Sequence, residues 1–524
     1  MWDRTTTAQI ARWLFSRRTI RRFLLGLAWM ATIIALIYGE ENWRGRHAWN
    51  KYRRELEARG EQLDLRAFIP KPIPDNQNFA ATPFVQSWFP RGEVAFEGDS
   101  YSLAGPRFSG PEKDKGNRHF RDLNAWATAF AAVRSGDLMP HPNKRRPSFV
   151  ETQFDLESRV QAASAVLEGL KANEAAFTEL RAVSRRPYSR FPVIFDLENP
   201  WGILLPHLAL IKFTCQRLQL NACAELASSH SDRAWEDVKL MLRLADSLKD
   251  EPFLISYRVR VACVLIASQP IWEGLAEHRW TEAQLQDLQT RLQQPDFVTD
   301  LKRPLDAERA AGILTVELVR KKGLGYLNAL SGDESAIHSD TLIANLLSPM
   351  IPSGWYYQEH LNYCRLLQTR REGAFDPAKR RISPTGTVSA SREVAQTLAE
   401  GGRIGKVLRH RVFAALLGPD LFNVISSTAK AQICTDQATL ACAMERCRLA
   451  SGQFPENLDA LVPRFISALP HDVITGEPYK YRRTEDGQFV LYSVGWNEKD
   501  DGGVTGNVLF DEKQGDWVWC YPSK

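Results

Sequence analysis

The 524-residue chain lacks the short motifs that mark many enzyme active sites. It has no Cys-x-x-Cys pair, which disfavours zinc ribbons and thioredoxin-type redox sites. It also has no His-Glu-x-x-His metal motif, no Gly-x-Ser-x-Gly nucleophile elbow and no Gly-x-x-x-x-Gly-Lys-Ser/Thr phosphate loop. His207, within LLPHLAL, lies on an apolar face and is interpreted as a core histidine. The absences leave open only an enzyme that assembles carboxylates from distant segments.

An excess of charge of one sign is absent as well. The chain has 67 Lys and Arg residues against 62 Asp and Glu residues, so its formal net charge is only +5. Outside the N-terminus there is no dense stripe of Lys and Arg with interleaved aromatic residues, which is the usual footprint of a nucleic-acid-binding surface. We therefore expect no nucleic-acid partner.

Cysteine is scarce, and its spacing does not suggest a disulfide framework. Cys215 and Cys223 are eight residues apart on a predicted helix, as are Cys434 and Cys442. This spacing separates each pair by ~12 Å along the helix axis, too far for a bridge within one helix. The cysteines are interpreted as small buried apolar residues, with bridges between helices in an oxidising compartment as the alternative. The eight cysteines are at 215, 223, 263, 364, 434, 442, 447 and 520.

The strongest positive signal is an uncharged apolar run, Phe23–Gly39. At ~1.5 Å per residue it spans roughly 25 Å, near the short end for a transmembrane helix. A cleaved signal peptide is the alternative, but Leu36–Gly39 offers no small-x-small cleavage site. The positive-inside rule places the N-terminus in the cytoplasm and the rest of the chain outside it. The sequence thus predicts a single-pass protein of the bacterial inner membrane with a periplasmic bulk. The basic residues before the run are Arg12, Arg17, Arg18, Arg21 and Arg22.

The rest of the chain predicts a mainly α fold that ends in a small α+β module. The large helical domain is of bundle or solenoid type, and the pattern leaves both open because no strict 34-residue repeat is present. The stretch 372–404 is polar and poorly periodic, which favours a linker or mobile loop. The predicted parts are a cytoplasmic tail and transmembrane anchor (1–39), a juxtamembrane helix and extended collar (40–116), the helical domain (117–371), the linker (372–410) and the module (411–524).

Capping residues mark several helix ends. Trp43–Arg59 favours a helix that continues from the anchor and stops at Gly60. Thr281 with Gln284 forms a capping box before one helix of the central domain. Ser231-Asp232 is expected to cap the helix before it.

In the C-terminal part, a long helix is followed by short strands. Asp420–Ala450 is predicted to be helical, and Asn457–Val462 is predicted to be a short helix closed by Pro463. Tyr479–Arg483 and Phe489–Val494 are predicted strands joined by a turn, and Trp517–Tyr521 is a third candidate strand.

This order of elements resembles the soluble domain of the major pseudopilins of type II secretion. The resemblance covers about the last fifth of the chain. A pseudopilin-type leader site is not found in residues 1–40, so the module is interpreted as fused behind a different exported domain. With Asn78-Phe79-Ala80, Thr82-Pro83, Glu251-Pro252-Phe253-Leu254-Ile255 and the C-terminal module, the whole chain also resembles a recurrent family of large bacterial membrane-anchored proteins. The motifs of the pseudopilin resemblance are Leu440–Arg448, Gly452-Gln453-Phe454-Pro455, Leu458-Asp459-Ala460-Leu461, Thr475-Gly476-Glu477-Pro478-Tyr479, Leu491-Tyr492-Ser493-Val494-Gly495 and Gly515-Asp516-Trp517.

In pseudopilins the loop after the last long strand binds calcium, so the resemblance implies a structural calcium site in LYSVGWNEKDDGG. Calcium takes six to eight oxygen ligands, which carboxylates, amides and carbonyls supply. Gly502 and Gly503 would let the backbone fold tightly around the ion. The alternative is a solvated turn. The predicted metal ligands are Asn497, Glu498, Asp500, Asp501 and Asp516.

Together these features predict an extracytoplasmic interaction or assembly protein with protein or peptide partners, and the pseudopilin resemblance implies a role tied to secretion. The alternative is an exported hydrolase with its active site in the helical domain. A cleft with converging acids or a histidine pair would favour the enzyme, and a concave surface lined by aromatic residues would favour binding. Glu308-Arg309 is interpreted as a surface pair, and Trp355-Tyr356-Tyr357 as core packing.

Overall fold

The computed structural model describes residues 16–89, 120–135, 158–327 and 348–519. The fold is mainly helical, with 63% helix and 5% strand, which confirms the predicted class. The described helices are α1 (Arg17–Ala58), α2 (Pro83–Gln86), α3 (Leu123–Ser135), α4 (Arg159–Leu170), α5 (Glu174–Val183), α6 (Pro206–Ala227), α7 (Ser231–Asp246), α8 (Leu254–Ala276), α9 (Glu282–Leu292), α10 (Phe297–Asp300), α11 (Lys302–Lys322), α12 (Ser353–Arg371), α13 (Pro384–Ala399), α14 (Gly402–Leu408), α15 (Val412–Leu417) and α16 (Leu421–Ser451).

The predicted anchor and juxtamembrane segments form one continuous helix, α1, of 42 residues. It begins where the Ser16 hydroxyl accepts a hydrogen bond from the Thr19 N–H at 3.2 Å, and it ends before Gly60, whose φ is +76°. The apolar part of α1 is not buried by the rest of the chain, so α1 is a candidate membrane span. Helix α8 is also long and apolar enough to span a membrane, but 78% of its apolar window is buried, as in a core helix. Arg12 lies outside the described residues.

Beyond the apolar run, α1 packs lengthwise against α12, and the two helices run in the same direction. The Asn42 side-chain oxygen accepts from the Gly354 N–H at 2.8 Å, at the beginning of α12. Further along, the Tyr52 hydroxyl donates to the Gln368 side-chain oxygen at 2.6 Å. Gly354 is required here because a Cβ at this position would overlap the backbone of Glu41. The anchor is therefore joined to the folded body by a close helix pair.

Helices α3 to α12 fall within the range predicted for the helical domain, residues 117–371. The capping box of Thr281 and Gln284 is present at the start of α9. The expected cap at Ser231-Asp232 is wrong, because the N-cap is His230 without a side-chain bond and Ser231 is already the first helical residue. Helices α6, α7 and α8 pack against one another around a core that includes Leu218, Met241 and Ile266.

The collar before this domain is irregular rather than strand-like where it is described. Residues 60–82 contain two short 3₁₀ helices, Leu65–Phe68 and Asp75–Gln77, and an isolated bridge from Asn78 to Tyr188. The part of the predicted collar from 90 to 116 lies outside the described residues.

The stretch predicted as a linker or mobile loop, 372–410, is instead ordered secondary structure. It forms a small antiparallel hairpin of β1 (Phe375–Asp376) and β2 (Arg381–Ile382), then α13 and α14. The sequence prediction failed because the buried face of α13 consists of small or weakly apolar residues, which give little hydrophobic contrast. These residues are Pro384, Thr387, Ala390 and Val394, at helical spacing.

The C-terminal elements appear in the predicted order. Helix α16 starts after Asp420, whose carboxylate accepts from the Phe422 N–H at 3.1 Å, and it ends at Gly452 in the left-handed region. Leu458–Leu461 is a 3₁₀ helix. The strands form one antiparallel sheet in the order β3–β4–β5, with β3 Lys480–Arg483, β4 Phe489–Ser493 and β5 Trp517–Val518.

This C-terminal part shares its core with the helical domain. Helix α16 packs against α8 and α9 as well as against β4. One hydrophobic cluster runs from Phe79 through Leu265 and Met444 to Trp517. A boundary at residue 411 therefore separates two sequence patterns but not two hydrophobic cores.

Candidate functional site

The five predicted calcium ligands lie in and around the acidic loop that follows β4. Asp516 is buried, and its two carboxylate oxygens accept from the N–H groups of Asp501 at 3.2 Å and Gly503 at 2.6 Å. Burial raises the pKa of Asp516, and the nearby carboxylates of Asp500 and Asp501 raise it further. A cation beside Asp516 would relieve this unfavourable electrostatic energy.

Asn497, Asp501 and Asp516 are joined by hydrogen bonds, whereas Asp500 and Glu498 contact other residues. The Asp500 carboxylate accepts from the Tyr492 hydroxyl at 3.0 Å, and the Asn497 amide donates to Asp501 at 3.0 Å. Glu498 faces helix α13 instead, where its carboxylate accepts from the Thr385 N–H at 3.2 Å. Within the described ranges, no three or more His, Cys, Asp or Glu side chains are arranged to hold a metal ion. Calcium binding by this loop stays a prediction.

A second candidate site lies where the anchor helix ends. We call it the anchor-end cleft; its volume is about 260 Å³, and the turn after α1 forms part of its wall. Arg59 and Glu61 contribute to it from that turn, Arg309 from α11 and Arg371 from the end of α12. The remaining lining residues are Cys364, Leu367, Gln368, Glu372, Phe375 and Pro377.

The charges behind this cleft converge on one buried carboxylate, Asp306. Its oxygens contact Arg371 at 2.8 Å, Lys302 at 2.6 Å and Arg309 at 3.4 Å. Burial alone would raise the pKa of Asp306, but Arg371, Lys302 and Arg309 outweigh burial, and the pKa lies below its usual value. Asp306 is therefore ionised. It is suited to holding the three basic side chains in place and not to transferring a proton.

The turn after α1 separates the anchor-end cleft from a second cleft of about 360 Å³. Gly60 and Gln62 line the second cleft, whereas Arg59 and Glu61 line the first. Lys302 and Arg303, at the start of α11, add positive charge to the second cleft. The end of the anchor helix thus contributes to two adjacent charged depressions.

Sequence reasoning identified only one residue of this site, Arg309, and assigned it the wrong partner. Arg309 is buried, with 4% of its surface exposed, and pairs with Glu61 and Asp306 rather than with Glu308 at the surface. Glu308 makes no ion pair with any residue the structure describes, and burial raises its pKa to about 7. No sequence signal links Glu61 to Arg309, because contacts across such chain separations leave no local pattern.

The interpretation of His207 as a core histidine is confirmed. It is fully buried, its Nε2 lies 2.7 Å from the Glu251 carboxylate, and its ring stacks on Phe191 with centroids 4.4 Å apart. Ser256 donates to the same carboxylate and not to the histidine, so no serine–histidine nucleophile pair is formed. Tyr356 is likewise buried in a hydrophobic cluster, as expected for core packing.

Comparisons of this chain with protein-family models, curated proteins and solved structures find no match. The function must therefore be inferred from the site itself. In the anchor-end cleft, Glu61 is neutralised by Arg309, and Glu372 is the only other carboxylate among the described lining residues. The lining thus has three guanidinium groups against two carboxylates, and of the three only Arg59 has no ion-pair partner within the described residues.

Proposed function

We propose that this protein is a membrane-anchored, extracytoplasmic interaction or assembly protein. The observation that carries the proposal is the continuity of α1. The same helix that contains the exposed apolar run also packs along α12 and ends at the anchor-end cleft. A membrane span that is rigidly continuous with a charged cleft would hold that cleft at a fixed height above the bilayer.

The height follows from helix geometry. From Gly39, the last residue of the apolar run, to Ala58 the helix rises by about 30 Å at 1.5 Å per residue. The close pairing of α1 with α12 keeps this part of the helix straight and attached. A partner that reaches the cleft would therefore be engaged well outside the lipid headgroups.

The cleft is suited to an acidic segment of a protein or peptide partner. Arg59 is exposed and makes no ion pair with any residue of the described chain, so its guanidinium is available to a carboxylate. Arg371 also lines the cleft, and its guanidinium contacts Asp306 at 2.8 Å. Phe375 and Leu367 provide apolar surface between the charges. Mixed apolar and positive surface of this kind favours acidic peptides.

The proposal includes a pseudopilin-like C-terminal part stabilised by calcium, with a role tied to secretion. Support comes from the order of a long helix, a three-stranded antiparallel sheet and an acidic loop. Asp500, Asp501, Asp516 and Asn497 would hold the ion through side-chain oxygens. Glu498 does not fit this set while it caps α13. The ion would neutralise clustered carboxylates and fasten the loop to the sheet.

The cleft is tested by site-specific photo-crosslinking in cells that express the full chain. A photoreactive residue at Gln368, inside the cleft, is expected to give a discrete adduct. Arg59→Glu should abolish this adduct because it reverses the charge offered to an acidic partner. Arg54→Glu, an exposed change on the same helix outside the cleft, is the matched control and should leave the adduct in place. An adduct that survives Arg59→Glu would reject recognition through the cleft.

Calcium is tested by calorimetric titration of the full chain in detergent. We expect saturable heat and a higher melting temperature, both lost in Asp501→Ala. Glu498→Ala is the control and should still bind calcium, since Glu498 contacts Thr385 and is not one of the four proposed ligands. Absence of heat in the unsubstituted protein would identify the loop as a calcium-free turn.

A further inference from the structure

Helix α14 lies at the end of the folded body that faces the membrane, as the path of the chain shows. Helix α13 begins beside Gly373, just after the membrane-distal end of α12, because Gly386 packs against the Gly373 carbonyl. It ends near Thr397, whose carbonyl accepts from Arg411 at 2.6 Å, and Val412, the residue after Arg411, contacts Glu359 in the first half of α12. Helix α13 therefore runs toward the membrane, antiparallel to α12.

The chain then turns back through α15. The N–H groups of Val412 and Phe413 donate to the Glu359 carboxylate, both at 3.0 Å, in the first half of α12. At the far end of α15, the Pro419 carbonyl accepts from Arg370 at 2.8 Å, at the end of α12. Helix α15 thus runs away from the membrane. Helix α14 connects the descending and the ascending helix at their membrane-proximal ends.

The distance of α14 from the membrane exit of α1 is short. His410, two residues after α14, contacts Trp355 with ring centroids 5.1 Å apart. Trp355 follows Gly354, whose backbone touches that of Glu41, two residues beyond the apolar run. The charges of Glu41 and Arg44 also act on the pKa of His410, which burial lowers. The Asn362 amide donates to the carbonyls of Arg409 and His410, both at 2.9 Å, so the end of α14 lies between the levels of Trp355 and Asn362, along the membrane-proximal half of α12.

Helix α14 exposes apolar and basic side chains together. Ile404 is 73% exposed and Leu408 is 67% exposed, with Val407 between them also exposed. Arg403 and Lys406 make no ion pair with any residue within the described ranges. Several neighbouring aliphatic side chains that are exposed together usually mark a site of contact with another protein or with a membrane. Apolar side chains flanked by free Lys and Arg are typical of segments that lie at an anionic membrane interface.

A further exposed apolar side chain lies at this end of the body. Met350, in a 3₁₀ turn before α12, is 64% exposed. Its carbonyl accepts a hydrogen bond from the Tyr38 hydroxyl, and Tyr38 belongs to the last turn of the apolar run. The turn that contains Met350 therefore lies at the membrane boundary. Met350 and α14 place apolar groups on the same end of the body.

We propose that α14 is a second membrane contact of this protein. Ile404, Val407 and Leu408 insert into the headgroup region of the leaflet from which α1 emerges, and Arg403 and Lys406 bind the phosphates of anionic lipids. This inference rests on the proposed anchoring by α1. It adds that the folded body contacts the membrane through both α1 and α14. Two contacts restrict rotation of the body about α1 and so fix the orientation of the anchor-end cleft.

The test measures depth with spin labels on the full chain reconstituted in nanodiscs that contain anionic phosphatidylglycerol. Single cysteines are introduced by Leu408→Cys in α14, Val504→Cys at the membrane-distal acidic loop, and Ile33→Cys in the apolar run. The seven cysteines that the structure describes are buried, and the unsubstituted protein treated with the same reagent measures the remaining labelling background. Power saturation with oxygen and with a water-soluble nickel complex then reports lipid or water at each label.

We expect the Leu408 label to be several-fold less accessible to nickel than the Val504 label, and accessible to oxygen. Replacing phosphatidylglycerol with a zwitterionic lipid, or introducing Arg403→Glu with Lys406→Glu, should raise nickel access at Leu408. Arg403 is exposed and Lys406 is partly exposed, and neither makes an ion pair within the described ranges, so the melting temperature of this variant should be unchanged.

Two results would overturn the inference while leaving the anchoring intact. In one, the Ile33 label is in lipid but the Leu408 label is as open to nickel as the Val504 label. In the other, the Leu408 label is shielded from both oxygen and nickel, which would indicate that protein, such as a second copy of the chain, covers α14. A water-exposed Ile33 label would instead reject the anchoring by α1 itself.

Discussion

Asp306 shows how one buried carboxylate organises several basic side chains around a cleft. It is 4% exposed and contacts Lys302, Arg309 and Arg371, of which Arg309 is equally buried. A buried ion pair often adds little net stability, but removing one partner leaves an uncompensated charge in a poorly solvated place. The anchor-end cleft therefore depends on a residue that hardly reaches its surface.

Asp306→Ala should lower the free energy of unfolding by about 3 kcal/mol, because Arg371 and Arg309 lose their shared carboxylate. Urea titration of the full chain in detergent measures this change. Glu57→Ala, which removes an exposed pair with Arg53 at 3.6 Å, is the control and should cost under about 1 kcal/mol. Equal effects of the two substitutions would contradict the buried network.

Asp436, in the middle of α16, makes stability depend on pH. It accepts from the Gln432 amide at 3.0 Å and from the Tyr479 hydroxyl at 3.1 Å. Burial raises its pKa to about 7. Because the folded-state pKa is above the unfolded one, the contribution is complete below the unfolded pKa and is lost as pH rises through about 7.

Asp436→Asn should therefore reduce the loss of unfolding free energy between about pH 5 and about pH 8, since the amide does not ionise. Unfolding by urea at the two pH values gives the difference. The exposed Asp459→Asn serves as the control and should keep the slope of the unsubstituted protein. An unchanged slope in Asp436→Asn would show that other groups set the pH dependence.

At the scale of elements, the pairing of α1 with α12 decides how the anchor meets the body. The two helices approach closely at Gly45 and Gly354, where a Cβ on either residue would overlap the other helix's backbone. Higher up, Trp49 stacks on His360 with ring centroids 5.0 Å apart. Burial lowers the pKa of His360 to about 4, so the ring stays neutral at this contact near neutral pH.

Gly354→Ala should cost about 1–3 kcal/mol of unfolding free energy, because the added methyl group forces the helices apart. Thermal melting of the full chain in nanodiscs detects this as a lower melting temperature. Gly39→Ala, on α1 with open space around it, is the control and should leave the melting temperature unchanged. Tolerance of Gly354→Ala would mean that the two helices are not in close contact.

At the scale of the whole molecule, the C-terminal part does not have a core of its own. Ile433, Leu440 and Met444 on α16 are fully buried, and α16 packs against α8 and α9 of the helical domain. Separating the chain at residue 411 would expose this face of α16 to water. We therefore expect the predicted pseudopilin-like module not to be stable on its own.

A fragment of residues 411–524 should accordingly melt over a broad range without a cooperative transition. The full chain should lose α16 and the helical domain in the same transition, since they share one core. Circular dichroism of both proteins on heating makes the comparison. A fragment with a sharp transition of its own would show that the small sheet alone can stabilise α16.

Local rules determined much of this architecture from the sequence. The apolar run of α1, the capping box at Thr281, the N-cap at Asp420 and the turn between β3 and β4 all depend on residues a few positions apart. These features are stabilised by hydrogen bonds between residues close in sequence, or are marked by the spacing of apolar residues. Both can be recognised directly in the sequence. The candidate loop near Asp516 also came from the sequence, apart from the orientation of Glu498.

Only the tertiary structure decided the rest. The anchor-end cleft joins Glu61 to Arg309 and Asp306 to Arg371, and α13 formed where small residues gave no periodic signal. The path of α14 between α13 and α15, which run in opposite directions along α12, depends on contacts between distant segments. These contacts form because elements distant in the chain pack against each other. The free energy of that packing depends on both partners, so no short stretch of sequence reveals it.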